Sequence, residues 1–305
     1  MSKNLLNVKL GDLELKNPII TASGTFGFGK ELKKYFSVEK LGAITLKGIT
    51  VKETIGNPLP RIAETPAGIL NSIGLENPGI EKFVEKIIPE IKDINLPVIA
   101  NISGYSVEDF VCLAEKLSKQ KAINAIEVNV SCPNIKDGGM AFGTDSEMIY
   151  KVTKKVKSVY SGQIIVKLSP NVTDIVEMAE AAVEGGADIV SLINTLLGMA
   201  IDIKKQKAVL GNTFGGLSGP AIKPVALRMV YQVAKAINVP IIGMGGIMSG
   251  EDAIEFLLAG ASAVGVGTAT LRDPNASIRI IEELKNYIKE NNINSLNEII
   301  GKAHQ

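Results

Sequence analysis

Ala125-Ile126-Glu127-Val128-Asn129-Val130-Ser131-Cys132-Pro133-Asn134 is the stretch from which the fold is read. Its apolar, β-branched run (Ala125, Ile126, Val128, Val130) predicts a buried strand. Pro133 has no N–H and a fixed φ, so the ladder stops there. Cys132 is left at a strand end, on a loop that continues through Gly138, Gly139 and Gly143. A thiol on a glycine-rich loop, beside an asparagine at a strand tip, has the setting of reactive chemistry. The alternative is a buried structural cysteine, the common fate of this residue.

The same unit recurs along the chain: a short apolar strand ends in polar residues or glycine, and a helical segment follows. Strands are expected over 18–22, ending at Ser23-Gly24; 43–46, ending at Lys47-Gly48; and 97–100, ending at Asn101. The Asn129 strand is the fourth. The others cover 164–166, ending at Lys167; 189–193, ending at Asn194-Thr195; 240–244, ending at Gly245-Gly246; and 263–266, ending at Gly267-Thr268. Apolar spacing of three and four predicts helices over 107–119, 148–160, 175–185, 221–236 and 253–259. Acids at Asp109, Asp145, Asp174, Glu251 and Asp252 suit first turns, and Gly185-Gly186 and Gly260 suit helix ends. Eight strands alternating with helices in 305 residues point to a (β/α)8 TIM barrel, with a doubly wound open sheet as the alternative. Residues 5–16 alternate apolar and polar around Gly11-Asp12, which reads as an N-terminal β-hairpin plugging one end. Two long βα-loop insertions, 50–78 and 196–218, follow strand C-termini. Neither reads as a separate domain, so residues 1–305 are taken as one barrel domain.

Composition narrows the function classes. A net charge of +1 argues against nucleic acid as the main partner, and 46% hydrophobic with 21% charged residues is ordinary for a globular chain. No uncharged apolar run is long enough for a bilayer, and Met1-Ser2-Lys3-Asn4 lacks a signal-peptide core, so no membrane contact and a cytoplasmic location are expected. Cys112, in a helical segment, reads as core packing. The single histidine, His304, sits where chains fray, so neither a histidine base nor a histidine metal site is expected. Two cysteines cannot supply the four thiolates of an iron–sulfur cluster.

A barrel brings all its strand tips to one ligand. Here they offer Ser23, Lys47, Asn101, Asn129, Lys167, Asn194 and Thr195. The glycines after strands seven and eight, each before a helix start, form an anion cradle suited to phosphate; their other reading is simple chain turning. Neither stretch matches the dinucleotide fingerprint, since Gly243-x-Gly245-Gly246 and Gly265-x-Gly267 both lack the final glycine. Lys47 and Lys167 end interior strands. Each is a Schiff-base candidate, a cation facing an electron-rich cofactor or carboxylate, or a lysine reaching back to water. Asn71, Asn129 and Asn194 offer amides to a planar polar ring.

Five motifs in order carry a resemblance across nearly the whole chain: Ala22-Ser23-Gly24-Thr25-Phe26-Gly27, Asn71-Ser72-Ile73-Gly74-Leu75, Asn129-Val130-Ser131-Cys132-Pro133-Asn134, Gly215-Gly216-Leu217-Ser218-Gly219-Pro220 and Gly243-Met244-Gly245-Gly246-Ile247. Together they resemble class 1 dihydroorotate dehydrogenases. Glu76-Asn77-Pro78-Gly79 and Cys132-Pro133-Asn134-Ile135-Lys136-Asp137-Gly138-Gly139 look like the NAD-linked B type rather than the fumarate-linked A type. The resemblance implies an FMN-containing barrel that oxidises (S)-dihydroorotate to orotate in pyrimidine synthesis. By motif, Cys132 would be the general base at C5, while hydride from C6 would pass to flavin N5. Lys47, Asn71, Ser72, Ile73, Gly74, Leu75, Asn129, Asn194 and Thr195 would hold the substrate. Ser23, Lys47, Gly48, Asn101, Asn129, Lys167, Ile193, Gly219, Gly245, Gly246, Gly267 and Thr268 would hold FMN. The B type also implies a partner subunit carrying FAD and a [2Fe–2S] cluster, in a heterotetramer built on a homodimer of this chain. The other readings are the A type, an aldolase-like barrel using Lys47 or Lys167, and a flavin-binding subunit without activity.

Overall fold

The computed structural model describes residues 4–31, 34–131 and 142–305, so Cys132 and the part of its loop up to residue 141 lie outside the described residues. The chain opens with β1 (Val8–Leu10) and β2 (Leu13–Leu15), paired antiparallel about Gly11 at φ 60°. Next come β3 (Ile19–Thr21) and β4 (Ile44–Thr45), and then β5 (Ile62–Thr65) and β6 (Gly68–Asn71) in the first insertion. The barrel resumes with β7 (Val98–Ile102), β8 (Ala125–Asn129), β9 (Gln163–Lys167) and β10 (Ile189–Leu192). The second insertion holds β11 (Leu196–Met199), β12 (Ile201–Asp202), β13 (Lys207–Ala208) and β14 (Phe214–Ser218), before β15 (Ile241–Met244) and β16 (Ala263–Val266).

Helices alternate with the barrel strands. In chain order they are α1 (Gly79–Lys82), α2 (Ile88–Ile91), α3 (Val107–Leu117), α4 (Ser146–Lys157), α5 (Ile175–Glu184), α6 (Lys223–Ala236), α7 (Gly250–Leu258), α8 (Thr268–Arg272) and α9 (Ala276–Glu290). A π-helical turn, Phe83–Ile87, joins α1 to α2. The acids expected in first turns do specific work. Asp145 and Asp174 cap α4 and α5 by accepting from N–H groups of the first turn, and Asp252 forms a capping box with Ser249 at α7.

Among the described residues, eight parallel strands run in the order β3-β16-β15-β10-β9-β8-β7-β4. The ring closes where Ile20 bridges Ala43 and the Gly42 N–H donates to Ile19 O at 2.9 Å. This is the (β/α)8 barrel. Its strands read as near-continuous apolar runs because both faces are covered, by helices outside and by side chains within. The hairpin seals the N-terminal end: its apolar side chains join the main core, and Asp12 and Gln163 at the foot of β9 exchange two hydrogen bonds of 3.0 Å.

The insertions do more than loop. β5 and β6 from the first meet β11 and β14 from the second in a four-stranded antiparallel sheet, with Asn71 opposite Gly216 and Leu70 opposite Leu217. One side of this sheet buries Ala63, Leu70 and Leu210 in a small second core. Leu197, Met199 and Phe214, together with Ile201 and Ile203 beyond the sheet, are exposed. Two expectations need correction. Cys112 is only partly buried on α3, because it falls beside the buried stripe formed by Phe110, Leu113, Ala114 and Leu117. His304 is not frayed: its ring lies 4.2 Å from that of Tyr231, and Nε2 donates to Ala259 O at 3.0 Å. Ala259 precedes β16, which places His304 at the end of the barrel opposite the strand tips.

Candidate active site

The C-terminal strand ends surround a cavity of about 880 Å³. Apart from Cys132, which lies outside the described residues, every residue expected from the sequence to hold substrate or cofactor lines this one cavity. The barrel contributes Ser23, Lys47, Gly48, Asn101, Asn129, Lys167, Ile193, Asn194 and Thr195. The run from Asn71 to Leu75 forms one wall, and Gly219, Gly245, Gly246, Gly267 and Thr268 gather at another.

An amide cluster occupies the centre. Asn194 Nδ2 donates to Asn129 Oδ1 at 3.0 Å and to Ser131 Oγ at 2.9 Å. Asn129 Nδ2 donates to Ser103 Oγ at 3.2 Å. The Thr195 N–H donates to Asn194 Oδ1, and Asn171 holds the same turn from outside through Thr195 O and the Leu197 N–H. Two asparagines, one ending β8 and one just beyond β10, are thereby locked in rotamer. Ser131, the last described residue before Cys132, is tied to both of them.

Among the described residues, Lys167 is the one buried lysine or arginine. It is 6% exposed, and no acceptor or carboxylate of the described residues reaches its ammonium. In register it lies between Asn129 of β8 and Ser191 of β10. Lys47 is partly exposed beyond the end of β4, its backbone held by Gly27 O at 2.8 Å. Ser23 Oγ donates to Leu46 O at 2.8 Å, which brings the β3 and β4 tips together.

The glycine wall depends on close approach. Gly246, at φ 80°, sits against the first residue of α6, where a Cβ would come within 2.8 Å of Lys223 N. Gly219, at φ 101°, lies where a Cβ would come within 2.8 Å of Gly68 Cα. The N–H groups of Gly246, Gly267 and Thr268 donate to no acceptor of the described residues. Exposed N–H groups at such turns and at a helix start attract anions. Thr268 Oγ1 donates to Ser218 Oγ at 2.8 Å. Behind this wall, Lys223 bridges Asp252 at 2.7 Å and Glu255 at 3.0 Å. Burial pushes the Asp252 carboxyl up, but Lys223 and the Met248 N–H outweigh it and hold the group below its ordinary range.

The Asn71–Leu75 wall is held by neighbours to which no site role was assigned from the sequence. Asn77 is buried and fully engaged: Oδ1 accepts from the Thr50 and Gly79 N–H groups, while Nδ2 donates to Thr50 Oγ1 and Leu75 O. Arg61 pairs with Glu76 at 2.6 Å and donates to Asn57 O and Ile55 O. Leu75 takes a left-handed φ of 55° beside Gly74 at 76°, and Ser72 Oγ is buried with no partner in the described residues. Ser131, Ser218 and the buried Glu127 also belong to the site or its floor and were not singled out from the sequence. Strand periodicity held a signal for Glu127: two residues before Asn129, it faces the same way.

The family model for dihydroorotate dehydrogenase matches residues 5–288. The catalytic subunit of dihydroorotate dehydrogenase B (NAD(+)) from Alkaliphilus metalliredigens is 56% identical over 301 residues, covering 99% of each chain. The subunit of the same name from Desulforamulus reducens is 56% identical over 299 residues, 98% of each chain. That from Bacteroides thetaiotaomicron is 53% identical over 296 residues, 97% of this chain and 98% of the relative. With the family model spanning most of the sequence, and relatives more than half identical end to end, this chain belongs to the dihydroorotate dehydrogenase family.

Proposed function

We propose that this chain is the catalytic subunit of an NAD-linked dihydroorotate dehydrogenase, oxidising (S)-dihydroorotate to orotate in pyrimidine synthesis with FMN in the cavity. One observation carries the reading. A buried lysine with no partner among the described residues, a locked cluster of amides and a wall of glycine N–H groups all face a single cavity. A buried cation without a partner is costly unless a ligand compensates it.

The residues present fit FMN. Gly246, Gly267 and Thr268 would take the phosphate on bare N–H groups, with Gly219 and Gly245 allowing close approach. Lys167 would set its charge against the ring edge that gains electron density on reduction. Ser23, Gly48, Asn101 and Ile193 would line the remainder, and Lys47 and Asn129 would reach both cofactor and substrate. Bound FMN would supply the acceptor for the hydride leaving C6 of dihydroorotate.

The rest falls to the chain. Asn71, Asn129 and Asn194 would pair with the planar acid, whose other contacts are Lys47, Thr195 and the 72–75 backbone. Engaging the Asn194 and Asn129 side chains with each other fixes which amide atoms face the substrate. Cys132 would take the proton from C5. The tie from Ser131 to Asn194 supports this assignment, because it anchors the root of that loop at the amide cluster.

Electrons would leave for NAD through a second subunit carrying FAD and a [2Fe–2S] cluster, in a heterotetramer around a homodimer of this chain. The relatives' name, catalytic subunit, supports a partner. So does the exposed apolar group Leu197, Met199, Ile201, Ile203 and Phe214, which another chain would cover.

Anaerobic titration of the purified yellow protein with dihydroorotate tests the core of the proposal. Bleaching of the visible flavin band is expected. A yellow protein that dihydroorotate does not bleach would be a binding subunit only. A colourless protein trapped by borohydride with a carbonyl substrate would be an aldolase-like enzyme.

A further inference from the structure

Glu127 is a carboxylate buried inside the barrel at 1% exposure, and no cation of the described residues is in ion-pair range. An apolar side chain of similar size would fill the space without the cost of desolvating a charge. Both carboxylate oxygens are engaged. Oε2 accepts from Asn101 Nδ2 at 2.7 Å, across from it on β7, and Oε1 accepts from the Ser191 hydroxyl at 2.8 Å, beyond β9.

This arrangement decides how Asn101 meets the cavity. Because Nδ2 is the atom that donates to Glu127, Oδ1 faces away from it. The space next to Oδ1 is bare because residue 48 is glycine: a Cβ there would lie 2.9 Å from that oxygen. Asn101 and Gly48 both line the cavity, and no donor of the described residues bonds Asn101 Oδ1.

We propose that Glu127 is a positioning residue for the flavin site: by taking the Asn101 N–H it commits that side chain to accepting, and so selects a ring N–H or ribityl hydroxyl donor on FMN. The inference rests on FMN occupying this cavity.

The test titrates FMN into flavin-stripped protein by fluorescence quenching and follows apoprotein melting in parallel. N101D sets two buried carboxylates against each other and should weaken FMN about 100-fold or more. E127Q leaves two facing amides, so Asn101 can turn either way, and FMN should weaken about tenfold. The double variant N101D/E127Q restores one donor–acceptor pair and leaves a carboxylate oxygen toward the cavity. Its affinity should return to within about tenfold of wild type, a strongly non-additive result. A merely structural Glu127 gives additive losses that track the melting temperature. Wild-type FMN affinity in E127Q, or a double variant no better than N101D, overturns the proposal. Should N101D fail to fold, E127Q decides alone, by a weakened FMN affinity with unchanged apoprotein melting. A wild-type protein that takes up no FMN overturns the flavin reading itself, and this inference with it.

Discussion

Substituting Gly246 by alanine separates two costs that the glycine wall avoids. Gly246 has φ 80°, where an L side chain costs about 1–2 kcal/mol. A Cβ would also lie 2.7 Å from Lys223 Cβ, 2.8 Å from its N and 2.9 Å from its Cα. Two of these are backbone atoms at the start of α6, so no rotamer change relieves them and the helix start must move. Overpacking of this kind adds about 1–3 kcal/mol. The expected loss in Gly246→Ala is therefore about 2–5 kcal/mol. Gly24→Ala is the control: its φ is 86°, but nothing lies within 4 Å of a new Cβ, leaving only the about 1–2 kcal/mol of the backbone term. At roughly 2 °C per kcal/mol for a chain of this size, melting should fall by about 4–10 °C in the first and about 2–4 °C in the second. Because the Gly246 N–H lines the cavity, FMN affinity should also fall at least about tenfold in Gly246→Ala. Thermal melts of stripped and FMN-loaded protein, with an FMN titration, measure both effects. Equal melting and equal FMN affinity in the two variants would refute the cradle argument.

Three further outcomes are expected. Burial pushes the Tyr160 phenol up to about 12, against about 10 unfolded. Below pH 10 both states keep the proton and stability is full; from about 10 to 12 the unfolded chain loses it first, so stability falls by up to about 3 kcal/mol. Tyr160→Phe should remove that component, and urea melts at pH 9 and pH 11.5 would show equal alkaline losses in both proteins if the reasoning is wrong. Lys167→Met should make the midpoint potential of bound FMN more negative by about 30–60 mV, because the reduced, more anionic ring loses a cation; dye-coupled redox titration reads this, and an unchanged potential would contradict the role. Cys132→Ala should keep FMN but lose turnover by about 10²–10⁴-fold, and wild-type turnover should rise with pH toward the ordinary thiol value of about 8.5. Wild-type turnover in the variant would end the assignment of Cys132 as base.

Much of this architecture was legible along the chain because its signals are local. Each barrel strand is an apolar run closed by a polar tip, and each capped helix carries its acid within a few residues of its start. A residue at a strand tip is also placed relative to the barrel axis once the barrel is accepted. For that reason Lys47, Asn101, Asn129, Lys167 and Asn194 could be expected at one rim, where they do share a cavity. The supporting residues were harder to see. Asn77 and Arg61 look like ordinary loop residues until their partners at Thr50, Gly79, Glu76 and Asn57 are known.

By itself, then, the sequence determined the strand–helix alternation, the barrel and the chemical inventory of its rim, because periodicity and turn chemistry are written over a few residues. The tertiary structure alone decided what those residues meet. It joined Asn71 to Gly216 in one sheet, bonded Glu127 to Asn101 across β7 and β8, and docked His304 on Tyr231. A pattern of apolar positions states that a face is buried but not against what. Partners far apart in the chain are chosen by packing and by the need to satisfy buried polar groups, and neither is expressed in local spacing.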